Sequence, residues 1–323
     1  MPLWPRCAMH YQTLHSIMAE PTLNYLPCQG AGVAHRMAYW QWGSAQATHA
    51  VVCVHGLTRQ GRDFDTLAQA LVARARYPLR VVCPDVVGRG NSDWLPDPLA
   101  YQIATYVADL LALVAHLQVT TLDWVGTSMG GLIGMGVCAQ LGRGAPGAFA
   151  DTQGPRIRKL VLNDVGPVIE RDAIARITQF LGRNMEFASL EDAAQAQSVL
   201  SASFGPHTPA QWLALTQHMV KPRTDGGKGV RLHYDPAIAV PIVATTPEQA
   251  ALGEALLWQV FDAITAETLL LRGAASDLLA HATALQMTQR GPRARLVEFA
   301  GVGHAPTLIA DDQVDAVCRF LLE

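Results

Sequence analysis

A serine attacks a carbonyl at neutral pH only with help: a base to take its proton, an acid to orient that base, and donors to hold the charge that builds on oxygen. One serine of this 323-residue chain sits in a setting suited to that task. In "TLDWVGTSMGGLIGMGVCAQL" (121–141) an apolar run meets Gly-x-Ser-x-Gly and passes into a helical stretch, so Ser128 falls at the apex of a sharp strand-to-helix turn. Gly126 and Gly130 allow strand and helix to approach closely, and Ser128 itself is expected in a strained backbone conformation. The first amides of the helix lack intrahelical acceptors, which offers the Met129 N–H to a developing oxyanion.

Eleven histidines compete for the role of base. His304 ends the last β-like run in "EFAGVGHAP", where Gly301 and Gly303 make a loop at the sheet's carboxyl edge, within reach of Ser128. His55, in "VHGL", also ends a strand, but a ring tied to nearby backbone explains it better. For the acid, "LLLRGAASDLLA" places Asp277 after a buried strand and gives the chain order Ser, Asp, His. Asp164, in "LVLNDVGP", is its competitor, because it lies just past a strand that should neighbour the nucleophile strand. Asp277 is the favoured candidate, with Asp164 read as a hinge or loop-ordering residue. No H-E-x-x-H and no cysteine cluster points to a metal, and no cofactor is needed.

These residues need a frame. The runs 49–56, 79–88, 121–128, 157–166, 266–277 and 294–304 are rich in Val and Leu and stop at Gly, Asp, Ser or His. Strands buried on both faces look like that, and their alternation with helices implies a mostly parallel, twisted sheet with helices on both faces. "MAYWQWG" (37–43) alternates more and reads as an outer antiparallel strand. About a hundred residues between Gly166 and Thr265 carry no convincing sheet strand. "TPAQW" and "TPEQA" put Thr208 and Thr246 at helix N-caps with proline next and glutamine at the capping-box position, and "SLED" at Ser189 is a third such start. The expected organisation is an N-terminal extension over 1–34, loosely held; an α/β core over 35–165 and 266–323; and a mainly helical cap over 166–265. Residues 221–241 interrupt the cap as a loop or small hairpin.

In order, "VHGLT" (54–58), "PDVVGRGNSDW" (84–94), "VGTSMGG", "LVLNDVGP", "LLLRGAASD" and "GVGHAP" resemble the α/β-hydrolase superfamily over roughly 35 to 323. The resemblance implies the α/β-hydrolase fold, with Ser128 as nucleophile, Asp277 as acid and His304 as base. It implies an oxyanion hole made by the backbone N–H groups of Leu57, the residue after Gly56, and Met129. Haloalkane dehalogenases and epoxide hydrolases of this superfamily carry aspartate at the nucleophile position, so Ser128 disfavours those activities. Asp85 reads as structural.

A net charge of −3 with 16% charged residues offers no basic stripe, which argues against nucleic acid or an anionic membrane as partner. The first thirty residues hold no signal-like apolar core and no membrane span, and the six scattered cysteines suit a reducing compartment, so a cytoplasmic location is expected. Arg59 and Arg62 directly follow the oxyanion loop and are candidates to anchor a substrate carboxylate. Phe180, Phe204, Trp212, Met219, Trp258 and Phe261 supply the cap with apolar side chains, some for the pocket and others for its own core. The expected activity is cleavage of a small or medium carboxylic ester or lactone through an acyl-enzyme. Rival readings are a carbon–carbon bond hydrolase of a dienoic keto acid with the same triad, an amidase or haloperoxidase variant, and a non-catalytic ligand receptor.

Overall fold

The computed structural model describes residues 20–142, 155–224 and 226–323. The chain begins with β1 (Thr22–Cys28), β2 (His35–Gly43) and β3 (His49–Val54), then α1 (Asp65–Arg74), β4 (Arg80–Pro84), α2 (Ile103–Leu117) and β5 (Thr121–Thr127). α3 (Met129–Gly142) and β6 (Ile157–Asn163) follow. Next come α4 (Arg171–Thr178), β7 (Glu186–Phe187), α5 (Leu190–Leu200), α6 (Pro209–Gln217), β8 (Val220–Pro222), β9 (Val230–Leu232), α7 (Ala239–Val243) and α8 (Pro247–Asp262). β10 (Glu267–Gly273), α9 (His281–Met287), β11 (Arg295–Phe299) and α10 (Asp311–Leu322) complete it.

The main sheet runs β1-β2-β4-β3-β5-β6-β10-β11, parallel from β4 to β11, with β2 and β1 antiparallel at one edge. Its middle strands are apolar on both faces because both are covered: Val51 to Val54 are fully buried. α1 and α10 pack on one face around Phe64, Leu71, Val317 and Leu321. α2 and α3 pack on the other around Leu110, Leu113, Ile133 and Trp124.

The structure moves the sheet's edge. Residues 37–43 were expected on the outside, but β2 lies between β4 and β1, so β1 is the edge strand. The expected loose extension over 1–34 therefore ends too late: residues 1–19 lie outside the described residues, whereas 22–28 form paired strand. Its anchor is polar as well as apolar. The His35 ring is held between the Val33 carbonyl and Asp109 on α2, each at 2.8 Å, and the Gly30 N–H donates to the same carboxylate at 3.1 Å. A buried pair of this kind is costly to break, since one charge is then left alone.

Within the long insertion the interruption expected over 221–241 is a small hairpin: β8 and β9 pair antiparallel, and β7 joins β9 to make a three-stranded sheet. Thr208 and Thr246 close full capping boxes with Gln211 and Gln249. Ser189 accepts from the Asp192 N–H, and its own hydroxyl donates to the Asp192 carboxylate. The insertion is tied to the loop after β4: Gly90 N–H donates to the His233 carbonyl, Asp235 N–H to Gly88, and the Tyr101 hydroxyl to the Asp235 carboxylate at 2.6 Å. No helix among the described residues is long and apolar enough to cross a membrane.

Candidate active site

β3 is flanked by β4 on one side and β5 on the other, so the sheet's winding reverses there and a crevice opens beyond the strands' carboxyl ends. Ser128 stands at that crevice, directly after β5, at φ 52°, a left-handed conformation that a side chain adopts at a cost. Two glycines make the turn possible. A Cβ on Gly126 would meet the Gly130 carbonyl oxygen at 2.3 Å, and one on Gly130 would meet that of Val54 at 1.9 Å. The Ser128 N–H donates to the Asn163 carbonyl at 2.9 Å, which fixes the turn against β6.

His304, in the loop after β11, accompanies Ser128 as expected: Nε2 lies 3.0 Å from Ser128 Oγ. The carboxylate behind it is that of Asp164, whose Oδ2 is 2.7 Å from His304 Nδ1. Asp164 is fully buried and, like Ser128, left-handed, with φ 56°. It accepts further bonds from the Gly273 N–H at 3.0 Å and the Ser276 hydroxyl at 2.6 Å. Asp277, the favoured candidate from sequence, does not reach His304. β10 ends at Gly273 and the following loop turns Ser276, not its neighbour, toward the relay. The Asp277 carboxylate faces the other way and takes Arg176 Nε and Nη2 at 2.7 and 2.9 Å. Burial alone would raise its pKa, but the Arg176 bonds and charge outweigh that and hold it below the usual range.

Leu57 lies just past β3 and lines the crevice, and Met129 is the first residue of α3, where an N–H has no intrahelical acceptor. The loop carrying Leu57 is braced by His55, which donates from Nδ1 to the Gly56 carbonyl and accepts the Val86 N–H at Nε2, at 2.7 and 2.9 Å. Burial pushes this ring's pKa down to about 3. His55 is thus a neutral strut. Asp85 is also a strut: its carboxylate accepts the Gly61 and Asn91 N–H groups at 2.7 and 2.8 Å.

One cation behind this loop has no counterpart in the sequence reading. Arg89 is fully buried, and among the described residues it has no carboxylate within salt-bridge distance. Its Nε donates to the Leu57 carbonyl at 2.8 Å, Nη1 to the Val87 carbonyl and the Tyr106 hydroxyl, and Nη2 reaches the Met129 sulfur at 3.6 Å. Its position between Gly88 and Gly90 gave no sign of burial in the sequence, where arginine usually marks a surface.

Above Ser128 and His304 lies a cavity of about 430 Å³, within the range of small-molecule sites. Most of its wall is apolar and comes from the insertion, including Ile177, Phe180, Leu181, Phe204 and Met219. Trp212 and Phe261 are instead buried, and Trp258 packs edge-on against Phe261. Of the two arginines expected at the site, Arg59 lines the cavity but is occupied by Asp63, the Leu215 carbonyl and the Met219 sulfur. Arg62 is outside: it pairs with Asp65 and Glu20 and lies over the Trp40 ring. The second cavity cation is Arg176, on α4.

Comparison with known proteins bears on this geometry. Residues 51–320 match the model of the alpha/beta hydrolase family. The chain belongs to that family, and it is a hydrolytic enzyme. It is 45% identical over 304 residues to the 3-hydroxybutyrate-oligomer hydrolase of Cupriavidus necator, covering 94% of this chain and 98% of that protein. The crystal structure of an alpha/beta hydrolase from Novosphingobium aromaticivorans is 32% identical, with a TM-score of 0.77 over 94% of this chain and 99% of that one. The thioesterase domain from the curacin biosynthetic pathway, at 22% identity, shares the fold with a TM-score of 0.71 over 94% of this chain and the whole of that one.

Proposed function

We propose that this hydrolase is a serine carboxylic-ester hydrolase whose substrates are short linear oligoesters of a 3-hydroxyalkanoic acid, 3-hydroxybutyrate oligomers foremost. The observation that carries the reading is the Ser128–His304–Asp164 hydrogen-bonded relay at the floor of a largely apolar cavity. The substrate class is supported by likeness along nearly the whole chain to an enzyme named for such oligomers.

In this reading His304 Nε2 takes the Ser128 proton as Oγ attacks the ester carbonyl, and Asp164 steadies the imidazolium that forms. The Leu57 and Met129 N–H groups receive the oxyanion. His304 then protonates the departing 3-hydroxyl oxygen, and a water repeats the sequence on the acyl-enzyme. Residues 166–265 act as the cap that excludes water from the cavity and shapes it. Arg89 adds a fixed positive charge behind the two oxyanion donors, in a place shielded from solvent. Arg89→Met is expected to lower kcat about 10²-fold while KM changes little. Steady-state kinetics on p-nitrophenyl butyrate, with the melting temperature as a check on folding, would measure this; an equal loss in both parameters would remove Arg89 from the charge-stabilising role.

The chemistry is tested by fluorophosphonate labelling with peptide mapping, together with chromatography of products from the 3-hydroxybutyrate dimer and trimer. A label on the Ser128 peptide and release of monomer are expected. A label elsewhere would end the mechanism. Turnover of a vinylogous diketone with no oligoester cleavage would turn the reading toward a carbon–carbon hydrolase. A cytoplasmic location is part of the proposal, supported by free cysteines at 28, 53, 83, 138 and 318.

A further inference from the structure

A linear oligoester of a hydroxy acid ends in one free carboxylate, and an apolar cavity that accepts it must give that charge a partner or leave it in water. The residues lining this cavity include two cations, Arg59 and Arg176, and no carboxylate. The two arginines are not equivalent. Arg59 has a side chain only 11% exposed, with Nε and Nη2 given to Asp63, Nη2 also to the Leu215 carbonyl, and Nη1 against the Met219 sulfur. Arg176 is 41% exposed and gives Asp277 only its Nε and one Nη2 hydrogen. Its end-on edge, both Nη1 hydrogens and the second on Nη2, has no hydrogen-bond partner among the described residues.

We infer that Arg176 is the carboxylate-binding subsite of this enzyme: the free acid end of the oligoester docks on the open Nη1/Nη2 edge while Asp277 holds the other edge and sets the plane of the guanidinium. The inference rests on the oligoester reading above and adds to it a polarity, with the acid end of the substrate toward α4 and the scissile ester toward Ser128. A planar guanidinium suits this task because one edge can be fixed by the protein and another presented to the ligand, each in a two-bond geometry. Apolar neighbours on the same wall, Ile177 and Phe180, meet the methyl-bearing backbone of the substrate and thin the water that would otherwise compete for the charge. It also explains why an exposed carboxylate one residue from Ser276 faces away from the relay: Asp277 serves the arginine.

The test compares the 3-hydroxybutyrate dimer as free acid with its methyl ester, which keeps the scissile bond and removes the charge, with initial rates counted as cleavage of the internal ester alone. In Arg176→Met the ratio of kcat/KM for the acid to that for the ester is expected to fall roughly 10- to 100-fold, with Arg176→Lys recovering part of the loss. Should the methionine variant not fold, wild type alone still answers: raising salt is expected to raise KM for the acid and not for the ester. An acid-to-ester ratio that does not move in the variants, or an identical salt response of the two substrates, would overturn the subsite while leaving the esterase reading intact. Failure of wild type to cleave either compound would overturn both.

Discussion

Ser128→Ala is expected to lower kcat for an ester substrate by on the order of 10⁶-fold, with KM changed little, because the variant keeps the cavity and loses only the attacking atom. The structure adds a sharper expectation. Ser128 Oγ and His304 Nε2 are 3.0 Å apart, so in the proposed mechanism neither acts without the other. His304→Ala should therefore fall to a similar level, and Ser128→Ala/His304→Ala should be no worse than either alone. What remains should still exceed the uncatalysed rate by about 10³–10⁴-fold, since the Leu57 and Met129 amides and the cavity are intact and water can replace the serine. Single-turnover kinetics on p-nitrophenyl butyrate, free of wild-type carry-over, decides this. Losses that multiplied in the double variant would mean that the two side chains do not act as one unit. The alanine should fold: φ 52° at position 128 is strained for any side chain with a Cβ, and alanine carries no worse burden there than serine.

How far the sequence led depends on the kind of information each feature carries. The parallel strands were legible because burial on both faces leaves a continuous apolar run, as from Ala50 to Val54 in β3 and from Leu269 to Leu271 in β10. The turn at Ser128 was legible because its two close backbone approaches admit only glycine, and glycine at 126 and 130 is visible as a letter. Caps at Thr208 and Thr246 were local, and local bonds are read directly. The features that escaped depend on partners far away in the chain. β1 pairs through Leu26 and Cys28 but is fixed by Asp109, about eighty residues on. The acid behind His304 is a choice between the ends of two adjacent strands, β6 and β10, and both carry an aspartate just beyond. Chain order does not separate them, because both lie between Ser128 and His304. What separates them is where β10 stops: at Gly273, leaving enough loop for Ser276 to turn inward and Asp277 outward. Arg89 and Arg176 were hidden for the opposite reason, since an arginine's surroundings leave no trace in its own sequence neighbours.

That choice of acid can be settled by a pair of substitutions with opposite expectations. Asp164→Asn should cost about 10⁴-fold in kcat, because an amide presents His304 Nδ1 with the wrong partner, favours the wrong tautomer and cannot balance the imidazolium. Folding is protected at this position: asparagine, like aspartate, tolerates the left-handed φ of 56° better than most residues with a Cβ, and its oxygen can still accept from the Gly273 N–H. Asp277→Asn should leave turnover of p-nitrophenyl butyrate within about twofold. Its pair with Arg176 is 46% and 41% exposed, a class of surface contact worth about 0–1 kcal/mol, and a neutral ester makes no demand on that arginine. Measuring both variants on the same neutral substrate removes the carboxylate subsite from the comparison, so any difference reports on the relay alone. If Asp277→Asn were the crippled variant and Asp164→Asn the active one, the loop after β10 would have to refold during turnover to bring a different carboxylate to His304. It would then also have to release Arg176 and bury a charge where Ser276 now donates to Asp164 at 2.6 Å. The desolvation of an unpaired carboxylate makes that exchange costly, and Asp164 already meets its own desolvation with three hydrogen bonds.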